Sequence, residues 1–240
     1  MKVKVFDNSA LLYDYLCEKV ISKIKENPNI TLGLPTGSTP IPLYERLIQA
    51  YIDHKVDFAN VTSINLDEYV GLGPTHNQSY RYFMDNTLFD HININKANTF
   101  VPNGMAKDLK QECENYHNLL VLKKVDLQIL GIGTNAHIAF NEPGSSFESI
   151  TRVVPLSKST RNDNRRFFKK LEDVPKKAIS MGISDILLAK KIIIVAVGSH
   201  KAEAIKNMIQ GPITEEVPAS ALQMHSDVLV LLDQEAAKLL

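Results

Sequence analysis

Short runs of β-branched and other apolar residues alternate along the chain with longer segments whose apolar residues recur at helical spacing. Short apolar runs favour buried strands, and apolar positions three and four residues apart favour amphipathic helices. The pattern predicts helices over residues 8–25, 40–52, 78–89, 105–122, 183–189 and 200–208. It predicts strands over residues 30–34, 61–66, 125–131, 152–155, 178–181, 192–197 and 228–232.

Interleaved strands and helices are typical of α/β folds, in which helices cover both faces of a mostly parallel sheet. We therefore expect residues 1–240 to form a single domain, a Rossmann-like three-layer sandwich with a mostly parallel sheet. The segment 157–173 is dense in charged residues and is a candidate flap. Because ligands bind beyond the carboxyl ends of the strands in such sheets, the junctions between strands and loops are the places to search for chemistry.

The composition excludes several classes of binding partner and of cellular location. The 240 residues carry 27 Lys and Arg against 27 Asp and Glu, so no net field draws the protein to nucleic acid or to an anionic membrane. The N-terminus lacks the apolar core of a signal peptide, and no segment approaches the roughly 20 apolar residues that span a bilayer. Cys17 and Cys113 lie within helical patterns and are expected to be buried thiols rather than a disulfide. We expect a cytoplasmic protein.

The first junction, residues 34–40, leaves a strand and enters a helix. Its backbone amides and hydroxyls, together with the positive end of the helix, suit a phosphate dianion, and a capped turn of no function is the alternative. The candidate phosphate ligands are Gly37, Ser38 and Thr39. Ser38 or Thr39 is expected to cap the helix, with Pro40 in its first turn. The lysine of a nucleotide P-loop is absent, which favours a small sugar phosphate over ATP.

The second junction places two adjacent acids, Asp67 and Glu68, where a strand ends. A carboxylate at the mouth of the sheet acts as a general base if burial raises its pKa toward neutrality. The pattern of the segment does not decide which of the two acids points into a site, and a solvated pair in a loop is the alternative.

The third junction, residues 131–136, formally matches the dinucleotide pattern GxGxxA. That pattern requires a helix directly after its glycines, whereas Pro143 and Gly144 interrupt this segment, so we predict a loop. The loop presents His137 and Glu142 with Asn135 beside them, a set suited to proton transfer. The remaining histidines are scattered without the paired spacing of a metal site, and we predict no metal.

Cationic side chains are expected to assist a phosphate that loop amides hold. The candidates are a cluster of Arg161, Arg165 and Arg166, and Lys201 at the start of a helix. A solvated surface is the common alternative for both.

Three motifs, LGLPTGSTP (32–40), NLDEYVGL (65–72) and GIGTNAHIAFNEPG (131–144), closely resemble the glucosamine-6-phosphate deaminase family in sequence, order and spacing. The likeness extends over residues 30–232 and includes STRNDNRRFF (159–168) and VAVGSHKA. The resemblance implies an enzyme that opens the pyranose ring of glucosamine 6-phosphate, isomerises the aldose to a ketose and expels ammonia, giving fructose 6-phosphate without a cofactor.

The resemblance also implies roles for individual residues. Asp67 corresponds to the base that moves a proton from C2 to C1, which leaves Glu68 a structural role. His137 corresponds to the acid/base of ring opening, with Glu142 as its carboxylate partner and Asn135 at a position that is Asp or Asn in the family. The phosphate is expected on residues 36–39, with Arg166 and Lys201 supplying charge.

Three departures from the family pattern refine these expectations. Ala136 stands where the family usually has glycine, so its methyl group is expected to crowd the sugar or restrict the backbone. Longer, allosteric members use basic side chains near Arg152 and Val154, but only Arg152 is basic here, and the chain ends at Leu240 without their C-terminal extension. We therefore expect no strong allosteric activation, and the sequence does not distinguish a monomer from a homo-oligomer.

Three other functions are compatible with these motifs. A relative that acts on galactosamine 6-phosphate and a hydrolase of 6-phosphogluconolactone are the alternatives among enzymes. The alternative outside enzymes is a sugar-phosphate sensor that keeps the phosphate loop but does not turn over its ligand.

Overall fold

A seven-stranded parallel sheet forms the centre of the protein in a computed structural model that describes residues 1–156, 168 and 170–240. The strands are β1 (Lys2–Phe6), β2 (Thr31–Leu34), β3 (Thr62–Asn65), β4 (Asp67–Tyr69), β5 (Thr99–Phe100), β6 (Leu127–Leu130), β7 (Arg152–Pro155), β8 (Lys177–Ser180), β9 (Ile192–Ala196) and β10 (Val228–Asp233). The central sheet has the order β1-β10-β9-β6-β2-β3-β5, and each neighbouring pair is parallel.

Helices connect most of these strands. The α-helices of the described residues are Ser9–Glu26, Ile41–Ile52, Tyr80–Thr87, Leu109–Lys123, Ile183–Leu187, Ala202–Gln210 and Gln234–Ala237. Asn8, Ser79 and Asp108 begin three of them, and each side-chain oxygen accepts a hydrogen bond from a backbone N–H of the first turn, which satisfies donors that the helix itself leaves unpaired. Within the described ranges no helix has both the length and the apolar character needed to cross a bilayer.

The central sheet buries both of its faces, as alternation along β9 shows. Ile193 and Val195 belong to a core shared with the helices Ser9–Glu26 and Ile41–Ile52. Ile192 and Ile194 point the other way, into a core shared with the helices on the opposite face. Because neighbouring side chains of a strand point to opposite faces, the sheet is the middle layer of a three-layer sandwich. The predicted fold class is confirmed.

A second, three-stranded sheet lies beside the central one. It has the order β4-β8-β7 with antiparallel pairing. The strands predicted over residues 152–155 and 178–181 exist, but they belong to this smaller sheet rather than to the parallel one. The chain passes from β3 into β4 with only Leu66 between them, so Asp67 lies at the junction of the two sheets.

Several element boundaries differ from the prediction. The N-terminal residues form β1, which the pattern did not indicate, because this edge strand alternates Lys and Val and stays largely exposed. The first helix after β2 begins at Ile41, with Pro40 as its N-cap. The prediction that Ser38 or Thr39 caps this helix was therefore wrong.

The strand order reverses between β2 and β6. From β2 the chain continues to β3 on one side, whereas the next strand of the central sheet after β6 is β9 on the other side. The loops that follow β2 and β6 therefore diverge and open a crevice at the carboxyl ends of the strands, where ligands bind in α/β sheets.

Candidate active site

A pocket of ≈ 250 Å³ occupies this crevice. The loops after β2 and β6 form two of its walls, and the junction between β3 and β4 forms a third. The residues predicted from the sequence that line it are Thr36, Gly37, Thr39, Asp67, His137 and Lys201. The fold thus brings together the three motifs, which lie far apart in the sequence.

The loop after β2 presents its backbone to the pocket in a fixed shape. Gly37 has φ +84°, in the left-handed region, and a Cβ there would meet no atom within 4 Å. Glycine is therefore favoured by the backbone conformation and not by crowding. Ser38 does not line the first pocket but lines a second cavity of ≈ 270 Å³, which shares Thr36, Gly37 and Thr39 with the first.

Two tyrosines hold this loop in place through hydrogen bonds to its carbonyl groups, and the sequence analysis did not identify either of them. The hydroxyl of the fully buried Tyr44 donates to the carbonyl of Pro35 at 2.5 Å, and that of Tyr13 donates to the carbonyl of Thr39 at 2.6 Å. These bonds hold both ends of the loop before any ligand arrives. A loop that is already ordered loses less entropy when it binds an anion.

Asp67 is the acid that faces the pocket. Its side chain is 7% exposed, and burial, with a smaller contribution from the charge of Glu68, raises its pKa to about 8. Transfer of a carboxylate out of water disfavours the charged form, which explains the direction of the shift. A carboxyl group with a pKa near neutrality is suited to take a proton and return it.

Glu68 points away from the pocket and is 2% exposed. Its carboxylate accepts hydrogen bonds from the backbone N–H groups of Tyr69, Tyr80 and Arg81 at 2.8, 2.9 and 3.0 Å. Burial raises the pKa of Glu68, although these three donors oppose the shift. The structure therefore separates two acids that the pattern of the segment left equivalent and that the resemblance distinguished, with one in the pocket and one at the start of the helix Tyr80–Thr87.

His137, Asn135 and Glu142 form a connected set in the loop after β6. The Asn135 amide nitrogen donates to Glu142 Oε2 at 2.7 Å, which turns the amide oxygen toward His137 Nδ1 at 2.6 Å. His137 Nδ1 lies farther from Glu142 Oε2, at 3.8 Å. Since the amide oxygen only accepts, Nδ1 carries a proton, and in the neutral ring Nε2 holds the lone pair that takes up a proton. Asn135 thus lies between His137 and its predicted carboxylate partner, Glu142.

Gly133 admits the imidazole into this loop. A Cβ at Gly133 would lie 2.3 Å from His137 Cε1 and Nδ1, a distance that no side chain tolerates. In this loop Gly133, which belongs to the segment that matches the dinucleotide pattern, leaves room for the ring of His137. The segment is a loop rather than a helix, as predicted.

Ala136, the departure from the family pattern, does not reach the pocket. Ala136 is 3% exposed and belongs to the hydrophobic core, so of the two expected effects the structure supports the restriction of the backbone. Its backbone is left-handed, with φ +63°, which explains in physical terms why glycine suits this position. Replacement of glycine by Ala136 therefore acts on the backbone conformation of the loop.

Lys201 lines the pocket from the far side, at the end of the 3₁₀ turn Ser199–Lys201. Arg161, Arg165 and Arg166 lie outside the described residues. Arg152 is half-buried and donates to the side-chain oxygen of Asn141 at 2.9 Å, and Val154 is buried in a small core beside the second sheet. Among residues 1–156, 168 and 170–240, no group of three or more His, Cys, Asp or Glu side chains is placed to hold a metal ion.

An aromatic wall closes one side of the pocket, and it too was missed. Tyr80 and Phe140 both line the pocket and stack with centroids 6.2 Å apart and an interplanar angle of 11°. Tyr69 contacts both rings, at 4.8 and 5.9 Å. The sequence carries a weak signal for Tyr80 alone, a serine cap directly before it in a predicted helix.

Comparison with known proteins shows the family to which the chain belongs. A family model described as glucosamine-6-phosphate isomerases/6-phosphogluconolactonase matches residues 7–231. The chain belongs to this family. A glucosamine-6-phosphate deaminase of Clostridium perfringens (strain SM101 / Type A) is 50% identical over 241 residues and covers all of both chains. The deaminase of Thermoanaerobacter sp. (strain X514) is 51% identical, over 100% of this chain and 95% of its own.

Solved structures of the glucosamine-6-phosphate isomerase/6-phosphogluconolactonase family share the fold. A monomeric glucosamine-6-phosphate deaminase has a TM-score of 0.97 and 45% identity over all of both chains. A 6-phosphogluconolactonase from Trypanosoma brucei has a TM-score of 0.80 at 18% identity, over 99% of this chain and 97% of its own. The likeness to the lactonase concerns the fold alone.

Proposed function

We propose that the protein converts glucosamine 6-phosphate and water to fructose 6-phosphate and ammonia, by ring opening, aldose–ketose isomerisation and deamination. The observation that carries the proposal is the pairing, in one pocket, of a carboxyl group with a raised pKa and a histidine whose tautomer is fixed. The relatives that match the whole chain at about half identity are glucosamine-6-phosphate deaminases. We place the reaction in the cytoplasm, where phosphorylated sugars are retained.

The phosphate would bind the loop after β2, which offers the amides of residues 36–39 and the hydroxyls of Thr36 and Thr39. Lys201 lines the same pocket and would add a positive charge. Arg166, which the sequence motif predicts as a further cation, completes the proposed set. With the phosphate at this loop, the sugar ring would extend toward Asp67 and His137, which line another part of the pocket.

Ring opening requires a proton to leave the C1 hydroxyl and a proton to reach the ring oxygen. His137 Nε2 is suited to both transfers, because the bond from Nδ1 to Asn135 holds the ring in one orientation. The positive charge that the imidazole gains would be balanced through Asn135 by Glu142, as an acid orients the histidine of other proton-transfer sites.

Isomerisation then moves one proton between neighbouring carbons. Asp67 would take the proton from C2, which leaves an enolamine across C1 and C2, and would return it to C1 to give an imine at C2. Water adds to that imine carbon, and ammonia departs. A carboxyl group with a pKa of about 8 exchanges a proton in both directions near neutral pH with little cost.

Incubation of the purified protein with glucosamine 6-phosphate alone tests the proposal. We expect equal amounts of ammonia and fructose 6-phosphate. Galactosamine 6-phosphate and 6-phosphogluconolactone, assayed in parallel, distinguish the two enzymatic alternatives. Calorimetric binding of glucosamine 6-phosphate without release of ammonia would instead indicate a sensor and would refute the proposal.

A further inference from the structure

Glu68 is a buried acid near the pocket whose carboxylate accepts three backbone hydrogen bonds, yet it lies at none of the reacting positions proposed above. We infer that Glu68 is a positioning residue for the proposed reaction: its carboxylate ties β4, which carries Asp67, to the start of the helix Tyr80–Thr87, which carries the aromatic wall of the pocket. The inference rests on the proposed function and deepens the account of that same site.

The contacts of Glu68 join two elements, since Glu68 in β4 and Tyr80 in the helix lie twelve positions apart in the chain. Oε1 accepts from the N–H groups of Tyr69, in its own strand, and of Tyr80, while Oε2 accepts from Arg81. Ser79 accepts from the next N–H of the helix, that of Tyr82. Glu68 therefore supplies the part of the helix cap that its own N-cap residue does not reach.

These bonds determine where the ring of Tyr80 lies. Tyr80 contacts Tyr69 in β4 and stacks on Phe140, in the loop that carries His137, and Tyr69 and Phe140 also contact each other. The wall thus spans from β4 to the histidine loop, and Tyr80 and Phe140 line the same pocket as Asp67. A small displacement of the first turn of the helix would shift this wall and expose Asp67 to water.

Close packing behind β4 leaves Glu68 little freedom. A Cβ added to Gly104 would lie 1.9 Å from the Tyr69 carbonyl oxygen and 3.4 Å from Glu68 Cγ. The backbone at Gly104 therefore presses directly on the strand and confines the Glu68 stem. Gly104 on one side and the start of the helix on the other therefore confine Glu68. A confined neighbour helps to hold a reacting group such as Asp67 within the fractions of an ångström that efficient catalysis needs.

The charge of Glu68 acts on Asp67 as well. Among the residues that the structure describes, the titratable groups around Asp67 are Glu68 in its own strand, Tyr80 and Tyr116 from two helices, and His137 and Lys201 across the pocket. Of these, Glu68 is the neighbour whose charge contributes to the raised pKa of Asp67, after burial itself. Removal of this charge is expected to let Asp67 ionise at lower pH.

Glu68→Gln and Ser79→Ala form the matched pair that tests the inference. Both remove a cap contact from the same helix, but only the first acts on Asp67. For Glu68→Gln we expect kcat to fall about 10- to 100-fold, with KM within about threefold. For Ser79→Ala we expect kcat within about twofold of the wild type, measured where circular dichroism shows both variants folded.

Titration of the Asp67 carboxyl by ¹³C NMR in the unliganded protein gives a readout that needs no substrate. We expect the midpoint to fall by about one pH unit in Glu68→Gln and to stay unchanged in Ser79→Ala. An unchanged midpoint in Glu68→Gln, or a loss of kcat no larger than that of Ser79→Ala, would overturn the inference. Wild-type protein that releases no ammonia would refute the proposed function separately, while the titration would still decide whether Glu68 acts on Asp67.

Discussion

The side-chain oxygen of Asn135 lies 2.6 Å from Nδ1 of His137, while the amide nitrogen of the same side chain lies 2.7 Å from Glu142 Oε2. One neutral amide therefore orients the imidazole and connects it to a carboxylate that is 3.8 Å away. The two bonds also determine each other, because reversal of the amide would place its NH₂ group against Nδ1–H and its oxygen against the carboxylate.

Substitution of Asn135 tests this arrangement. Asn135→Ala is expected to lower kcat about 10- to 1,000-fold, since the imidazole loses the acceptor that fixes its tautomer. Asn135→Asp keeps an oxygen for His137 and is expected to retain much more activity than the alanine variant. Steady-state kinetics at neutral pH measure both. Equal losses in the two variants would show that the oxygen opposite Nδ1 has no part in the reaction.

The buried carboxyl of Asp67 makes stability depend on pH. Its pKa is about 8 in the folded protein against an ordinary 3.8, so between these values the folded state holds a proton that the unfolded chain has lost. Stability from this group is complete below about pH 4 and falls as the pH rises toward 8, by at most about 1.4 kcal/mol per pH unit. Asp67→Asn cannot ionise and escapes this loss.

Urea unfolding measures the effect. We expect the free energy of unfolding of Asp67→Asn to exceed that of the wild type by a margin that grows between about pH 5 and about pH 7.5. Glu45→Gln, at an exposed position on the helix Ile41–Ile52, is the control and should show no such growth. A margin that is constant with pH would contradict the raised pKa of Asp67.

Lys201 is expected to act in binding rather than in chemistry. Lys201→Met should raise KM about 10- to 100-fold, because a charge-assisted contact with the phosphate is lost, and should change kcat by less than about threefold. Lys206→Met, at an exposed position on the helix Ala202–Gln210 that follows, is the matched control and should leave KM unchanged. A loss of kcat at unchanged KM in Lys201→Met would remove Lys201 from the phosphate site.

Periodicity predicted most of the sandwich because the buried strands are continuous apolar runs, as β9 and β10 illustrate. It failed where burial does not govern the sequence. The edge strand β1 alternates Lys with Val and stays largely exposed, and β4 begins with two acids whose place in a strand depends on pairing with β8. Assignment of β7 and β8 to a separate sheet likewise depends on tertiary pairing that no local pattern contains.

Some residues of the candidate site could be predicted from the sequence, and others could not. Residue types suited to proton transfer, such as Asp67 and His137, stood out at strand ends because few structural reasons place them there. The choice between Asp67 and Glu68 followed from which side chain the two sheets turn toward the pocket. The tyrosines that brace the phosphate loop, Tyr13 and Tyr44, act through hydroxyls that reach the loop from two helices, and the sequence pattern shows them only as core residues.

Transfer of the C2 proton by Asp67 is the central step of this account, and hydrogen exchange measures it most directly. Glucosamine 6-phosphate is incubated in deuterium oxide with the wild type or with Asp67→Asn, and deuterium at C2 of the substrate and C1 of the product is followed by NMR. We expect exchange with the wild type, none with Asp67→Asn, and a dissociation constant for the substrate within about threefold in both. Exchange that persists in Asp67→Asn would contradict the account.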